Sequence, residues 1–176
     1  MNNIKTVNSI GANSIFTKSA IKTKADYAEM ETTLPVCNKA EVLHIHPMQT
    51  TKLEVLDGNL GIILPDRRLV VTSGHGYEIP KNIEHAFYNA DEKPIRFKAI
   101  LEPALHIEWL AKEMVATKQR KQSKLMSTLE YSYILHQVKG EYYRSGIPIA
   151  IQRMMHPVFS FFAKAFGIDK RVSLVN

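Results

Sequence analysis

Three histidines carry most of the chemistry this sequence offers. His44-Ile45-His46 spaces two imidazoles two residues apart, and on a β-strand such residues share one face, as a chelated divalent ion requires. His85 follows the turn signal Pro80-Lys81-Asn82, so a different strand beginning near it can deliver a third ring. Three neutral imidazoles bind Zn²⁺, Fe²⁺, Ni²⁺, Co²⁺ or Mn²⁺ with positions left open for water or substrate, and the ligand set does not select among these ions. The competing reading is three hydrogen-bonded histidines with no metal. His75 falls in the connecting loop, and His106, His136 and His156 fall in the C-terminal region, where surface or cap roles are expected.

The elements that must position these rings read as short strands up to about residue 103. Strands are expected over 27–34, 40–46, 52–56, 60–64, 68–72, 85–89 and 95–101. Asp57-Gly58 reads as a hairpin turn, and Pro65-Asp66 and the run 91–94 as further turns. After Pro103 apolar residues recur at three and four rather than two, which predicts helices over 107–117, near 125–138 and over 147–166. The last is expected to be kinked or divided at Pro157 and ended by Gly167. The expected organisation is an all-β unit over 1–104 and a helical extension over 105–176.

At this point the sequence resembles the cupin superfamily, whose motifs read G-x5-H-x-H-x3/4-E-x6-G and G-x5-P-x-G-x2-H-x3-N. The chain has N-x5-H-x-H-x4-T-x6-G from Asn38 to Gly58 and G-x5-P-x-N-x2-H-x3-N from Gly74 to Asn89, matching seven of ten fixed positions in order. The resemblance covers roughly residues 25–103, and the helical tail is similar to extensions carried by some bacterial single-domain members. It implies a small antiparallel double-stranded β-helix, a cupin or jelly-roll barrel, with His44, His46 and His85 as metal ligands. Asn38 and Asn82 stand where the family has glycine, and Asn is the residue that best tolerates a positive φ after glycine. Thr51 stands where the family has its acidic ligand, which removes a negative charge from the site.

Strand parity assigns the neighbours of the site. Thr51, Leu53 and Val55 should face inward and Lys52 and Glu54 outward, so Glu54 does not replace the missing acid. Gln49, in the preceding turn, is a candidate neutral fourth ligand. Gln49, Thr51, Leu53 and Phe87 are the expected pocket lining, with Met48 and Tyr88 near the mouth. No carboxylate of the motifs has inward parity, so no general base is evident.

Composition narrows the class. A single cysteine, Cys37, excludes an intramolecular disulfide and is expected to be a free thiol. The start MNNIKTVNSIGANSIF lacks the pattern of a secretory signal, and the expected compartment is the cytoplasm. Residues 1–110 hold 12 Lys+Arg against 13 Asp+Glu, whereas 111–176 hold 11 against 4, so the basic character belongs to the tail. Its cluster Lys118, Arg120, Lys121 and Lys124 has no aromatic interleaving and no groove-reading motif, and nucleic acid is not an expected partner. In the last helix Gln152, Arg153, His156, Ser160 and Lys164 form a narrow polar stripe beside a wide apolar face made by Ile147, Ile151, Met154, Met155, Phe159, Phe162 and Phe166. That face should be covered by the barrel, by a second subunit in a homodimer, or by a membrane surface, in that order. Two functions fit these residues: a metal-dependent enzyme on a small molecule, oxygenase-like or isomerase-like, and a non-catalytic cupin that binds or senses a small molecule.

Overall fold

The computed structural model describes residues 5–7, 11–19, 26–36 and 39–174. Cys37 and Asn38 lie outside them. The strands are β1 (Lys5–Val7), β2 (Asn13–Lys18), β3 (Ala28–Leu34), β4 (His44–Ile45), β5 (Thr50–Asp57), β6 (Asn59–Ile63), β7 (Arg68–Thr72), β8 (Gly76–Ile79), β9 (Glu84–Asn89) and β10 (Ile95–Glu102). Helices α1 (Ile107–Gln119), α2 (Lys124–Gln137) and α3 (Ile149–Ala165) follow, with a two-residue strand β11 (Tyr143–Arg144) between α2 and α3. The strands form two antiparallel sheets, one ordered β1-β2-β3-β10-β5-β8 and the other β11-β4-β9-β6-β7.

Alternation builds the layers. In β5 Thr51, Leu53 and Val55 are buried while Lys52 and Glu54 are exposed, and in its neighbour β10 Ile95, Phe97, Ala99 and Leu101 are buried. Their inner faces meet Leu60, Ile62 and Phe87 of the other sheet in one apolar core, while Lys98–Glu54 and Lys52–Glu102 pair outside at 3.1 and 3.0 Å. Asp57-Gly58 is not a hairpin turn. The strands on either side belong to different sheets, because β5 pairs with β10 and β8 whereas β6 pairs with β7 and β9. Gly58 serves this crossing in two ways: its φ is +84°, and a Cβ there would collide with the Ile95 side chain. Asn82 adopts φ +67°, as its place at a glycine position requires. The expected strand over 40–46 shortens to β4; β1 and β2 are N-terminal strands of the 1–104 unit, and β8 and β11 are additional to the expected ranges.

The helices are joined by buried charge. Glu130 of α2 has a fully buried side chain held by Arg120, by Arg171 at 2.8 Å, by the Gln122 amide at 2.8 Å and by the Thr117 hydroxyl at 3.1 Å. These partners link the end of α1 and the C-terminal segment to α2. The third helix corrects the sequence reading twice. It is not divided at Pro157, and it turns Gln152 and Ser160 of its polar stripe inward while leaving much of its apolar face exposed. Gln152, Ser160 and Ala163 are the buried residues, while Met154 and Phe161 are 68% and 71% exposed. Small side chains let α3 approach α2. The Gln152 amide then satisfies backbone groups that would be costly to leave unpaired, donating to the Arg144 and Ile147 carbonyls at 2.7 Å each and accepting from the Arg144 amide at 3.2 Å.

Replacing Arg120 and Arg171 together by Met would leave the Glu130 carboxylate buried without a counter-charge. The expected loss is about 3–5 kcal/mol of unfolding free energy in urea titrations, with most of it recovered by adding Glu130→Gln.

Candidate metal centre

The backbone of β4 and β9 brings the three rings together. His44 lies opposite His85 in the antiparallel register, and His46 sits just past the end of β4, its carbonyl accepting from the Asn82 amide at 2.8 Å. The ring centroids are 4.5 Å apart for His44 and His85, 5.1 Å for His44 and His46, and 5.8 Å for His46 and His85. One ligand nitrogen from each lies within 4.8 Å of the others.

Each ring is turned by a partner on its far side. His44 Nδ1 meets the Val42 carbonyl at 2.8 Å, His85 Nδ1 meets the Ile83 carbonyl at 2.9 Å, and His46 Nδ1 meets Gln49 Oε1 at 3.0 Å. All three partners are acceptors, so each Nδ1 carries the proton and each Nε2 keeps its lone pair for an ion. This is the orienting shell that ligating histidines need. Gln49 is therefore a support and not a fourth ligand: it is buried behind His46, and its amide donates to the Pro103 and Ala104 carbonyls at 3.0 and 2.9 Å.

Burial also keeps the rings neutral, the form that binds metal. Desolvation, then the proximity of His85 and His46, pushes His44 well below the ordinary imidazole value. Desolvation and His85 hold His46 at about 4 despite the Gln49 hydrogen bond, and desolvation lowers His85.

The rings open onto a cavity of about 160 Å³, lined on the sheet side by Thr51, Phe87, Phe97 and Leu101 and on the helix side by Ile107, Leu110 and Met114 of α1. Thr51 Oγ1 is buried and has no hydrogen-bond partner among the described residues, which leaves a polar contact for a ligand or water. Of the expected lining, Thr51 and Phe87 face this space. Leu53 is buried in the core and does not line it. Met48 borders a separate groove with α3, and Tyr88 lies on the other face of β9, over Gly61.

Two cavity residues had no signal in the sequence. Tyr142, just before β11, stacks on His44 with centroids 5.2 Å apart and an interplanar angle of 18°. Burial, then its neighbour Tyr131, pushes its phenol well above the ordinary value, so it stays protonated. Glu41, in the irregular run before β4, is an acidic residue among those that line the cavity.

No family model and no curated protein matches the sequence. Solved structures do match. A sugar phosphate isomerase of the cupin superfamily from Silicibacter pomeroyi aligns with 16% identity over 59% of this chain and 73% of its own, at a TM-score of 0.51. A protein described as a predicted oxalate decarboxylase from Thermotoga maritima aligns with 14% identity over 57% of this chain and 91% of its own, also at 0.51. A polyketide cyclase from Streptomyces resistomycificus aligns with 22% identity over 52% of this chain at 0.47, and this chain spans 64% of the cyclase.

Two measurements probe the geometry. In the metal-free protein the rings stay neutral where the unfolded chain takes up protons, near pH 6.5. The unfolded state thus binds more protons as pH falls from about 6.5 towards the value of about 4 that His46 retains, and stability should fall through that window. Replacing all three histidines by Gln should flatten this part of the pH–stability curve. Thr51→Glu should raise divalent-metal affinity in equilibrium titration and destabilise the metal-free form by about 1–3 kcal/mol, because a carboxylate is desolvated there. Equal affinity in the two proteins would mean that residue 51 does not reach the ion.

Proposed function

We propose that this chain, which has a cupin-like fold, is a metal-dependent enzyme acting on a small molecule in a jelly-roll barrel capped by the helices that follow residue 104. The observation that carries the reading is the orientation of the rings: each Nδ1 is held by an acceptor, and the three histidines meet at one buried cavity. A divalent ion held by His44, His46 and His85 would supply Lewis-acid or oxygen-binding chemistry there.

The chain's own residues do the rest. Helix α1 lines the cavity with Ile107, Leu110 and Met114, an apolar wall that reduces solvent screening of electrostatic contacts inside it. Tyr142 fixes the plane of His44, and Glu41 offers a carboxylate that can hold or move a proton at the wall. The volume of about 160 Å³ amounts to roughly five waters, so the substrate is a compact molecule of a few heavy atoms or presents only its reacting end. Oxygenase-like and isomerase-like reactions both fit this set. The second reading, a binding or sensing cupin, is favoured by Thr51 in place of an acidic ligand and by the apolar lining.

Elemental analysis of the protein purified without chelator tests the proposal. About one transition-metal ion per chain is expected, lost in His85→Gln and in His44→Gln. Turnover of small oxo- or hydroxy-acids, sugar phosphates or dioxygen should depend on that metal. Metal-free protein that binds no added Zn²⁺, Mn²⁺, Fe²⁺ or Ni²⁺ would overturn the reading.

A further inference from the structure

The outer face of α3 is unlike the rest of the surface. Ile151, Met154, Val158 and Phe161 follow one another at three and four residues, and the stripe is extended by Phe162 and Phe166; these six are between 41% and 71% exposed. The spacing of the first four places them on one side of the helix, opposite the buried Gln152, Ser160 and Ala163. A stripe this wide on a water-exposed helix marks a contact surface.

The charge around it identifies what it contacts. From residue 142 to residue 168 the sequence contains no Asp or Glu, while Arg144, Arg153 and Lys164 are present and exposed. Beside the stripe, Arg153 of α3 and Lys139 supply the charge of a groove of about 410 Å³ that His136 and His156 also line and whose lining has no carboxylate; burial, then His136, pushes the His156 imidazole below its ordinary value. Both ring nitrogens of His156 are buried there without a hydrogen-bond partner among the described residues, and the Tyr143 hydroxyl accepts from Arg153 Nε at 2.9 Å, holding the guanidinium at the groove wall.

We propose that α3 is an interfacial helix that docks this protein on an anionic bilayer surface, its apolar stripe entering the boundary of headgroups and acyl chains and its cationic groove taking a lipid phosphate. A second copy of the chain complements this surface poorly. A two-fold interface built on the stripe would bring Arg153 and Lys164 towards the same residues of the partner, with no carboxylate on the helix to pair them. A spanning helix does not fit either. No helix among the described residues is long and apolar enough to cross a membrane, and the 17 residues of α3 measure about 25 Å, short of a hydrocarbon core of about 30 Å.

The test is co-sedimentation of the full chain with vesicles of phosphatidylcholine, with and without phosphatidylglycerol, alongside light scattering of the protein alone. Binding to the phosphatidylglycerol vesicles is expected, with much weaker binding to phosphatidylcholine alone and loss at high salt. Lys164→Gln should weaken it about fivefold, one cation's share. Val158→Glu with Phe161→Ser, both on exposed positions, should abolish it while leaving the circular dichroism spectrum and the metal content unchanged. The proposal fails if anionic vesicles do not bind the protein, if the double variant binds as well as the parent, or if the parent forms a dimer that the double variant dissolves. Vesicle binding and metal content are read separately, so failure here leaves the metal-centre reading intact, and the reverse.

Discussion

The arrangement of the site rests on the register between β4 and β9. Only two residues of β4 are paired, His44 with His85 and Ile45 with Glu84, and a slip of one position would turn His44 to the opposite face. So short a strand has little hydrogen bonding of its own. It is held from both ends and both sides: the Glu41 amide donates to the Phe87 carbonyl and the Asn82 amide to the His46 carbonyl, each at 2.8 Å, and the Ser145 amide donates to the Leu43 carbonyl at 2.9 Å. The last of these comes from beyond α2, where β11 adds Tyr143 opposite Ile45 and Arg144 opposite His44. The helical extension therefore braces the strand that carries the first ring.

That bracing coincides with closure of the cavity. Tyr142 reaches the site because β11 docks beside β4, and α1 supplies the opposite wall through Ile107, Leu110 and Met114. The closing elements are in turn fastened by the buried Glu130 and its two arginines, which tie the end of α1, α2 and the C-terminal segment together. A buried carboxylate contributes less to net stability than to geometry, since its desolvation offsets much of the attraction. Here it sets where α1 lies over the rings. The same burial keeps the imidazoles neutral, so the packing that forms the cavity also sets the protonation of its three rings.

Much of this was legible in the sequence, and what was missed has identifiable causes. The histidine spacing and the inward parity of Thr51 depend only on the two-residue period of a strand, and both rings and hydroxyl lie where that period puts them. The β5 and β10 strands alternate strongly, and β5, β7, β9 and β10 all lie within two residues of their expected bounds. Asp57-Gly58 misled because a glycine with positive φ suits a crossing between sheets as well as a hairpin, and local sequence does not say which strand pairs with which. Gln49 was placed correctly near His46, but its role as support came from carbonyls about 55 positions away. Tyr142 and Glu41 lie in segments without periodicity, and only tertiary structure brings them to the cavity.

The third helix shows what periodicity leaves open. An amphipathic pattern gives the width of an apolar face but not the direction it points, because the inward side is chosen by what the neighbouring element can accept. Gln152 decides the question in α3. Its amide pairs with three part-buried backbone groups of β11 and of the segment that follows it, and turning the apolar stripe inward would leave those groups without that partner. Ser160 and Ala163 then continue the same inward line with side chains small enough for close helix contact. The inward Gln152 is thus a structural requirement of β11, and the exposed apolar stripe is its geometric consequence. Since β11 also braces β4, the exposed apolar face of the helix and the strand bearing His44 are joined through one glutamine side chain and one pair of backbone registers.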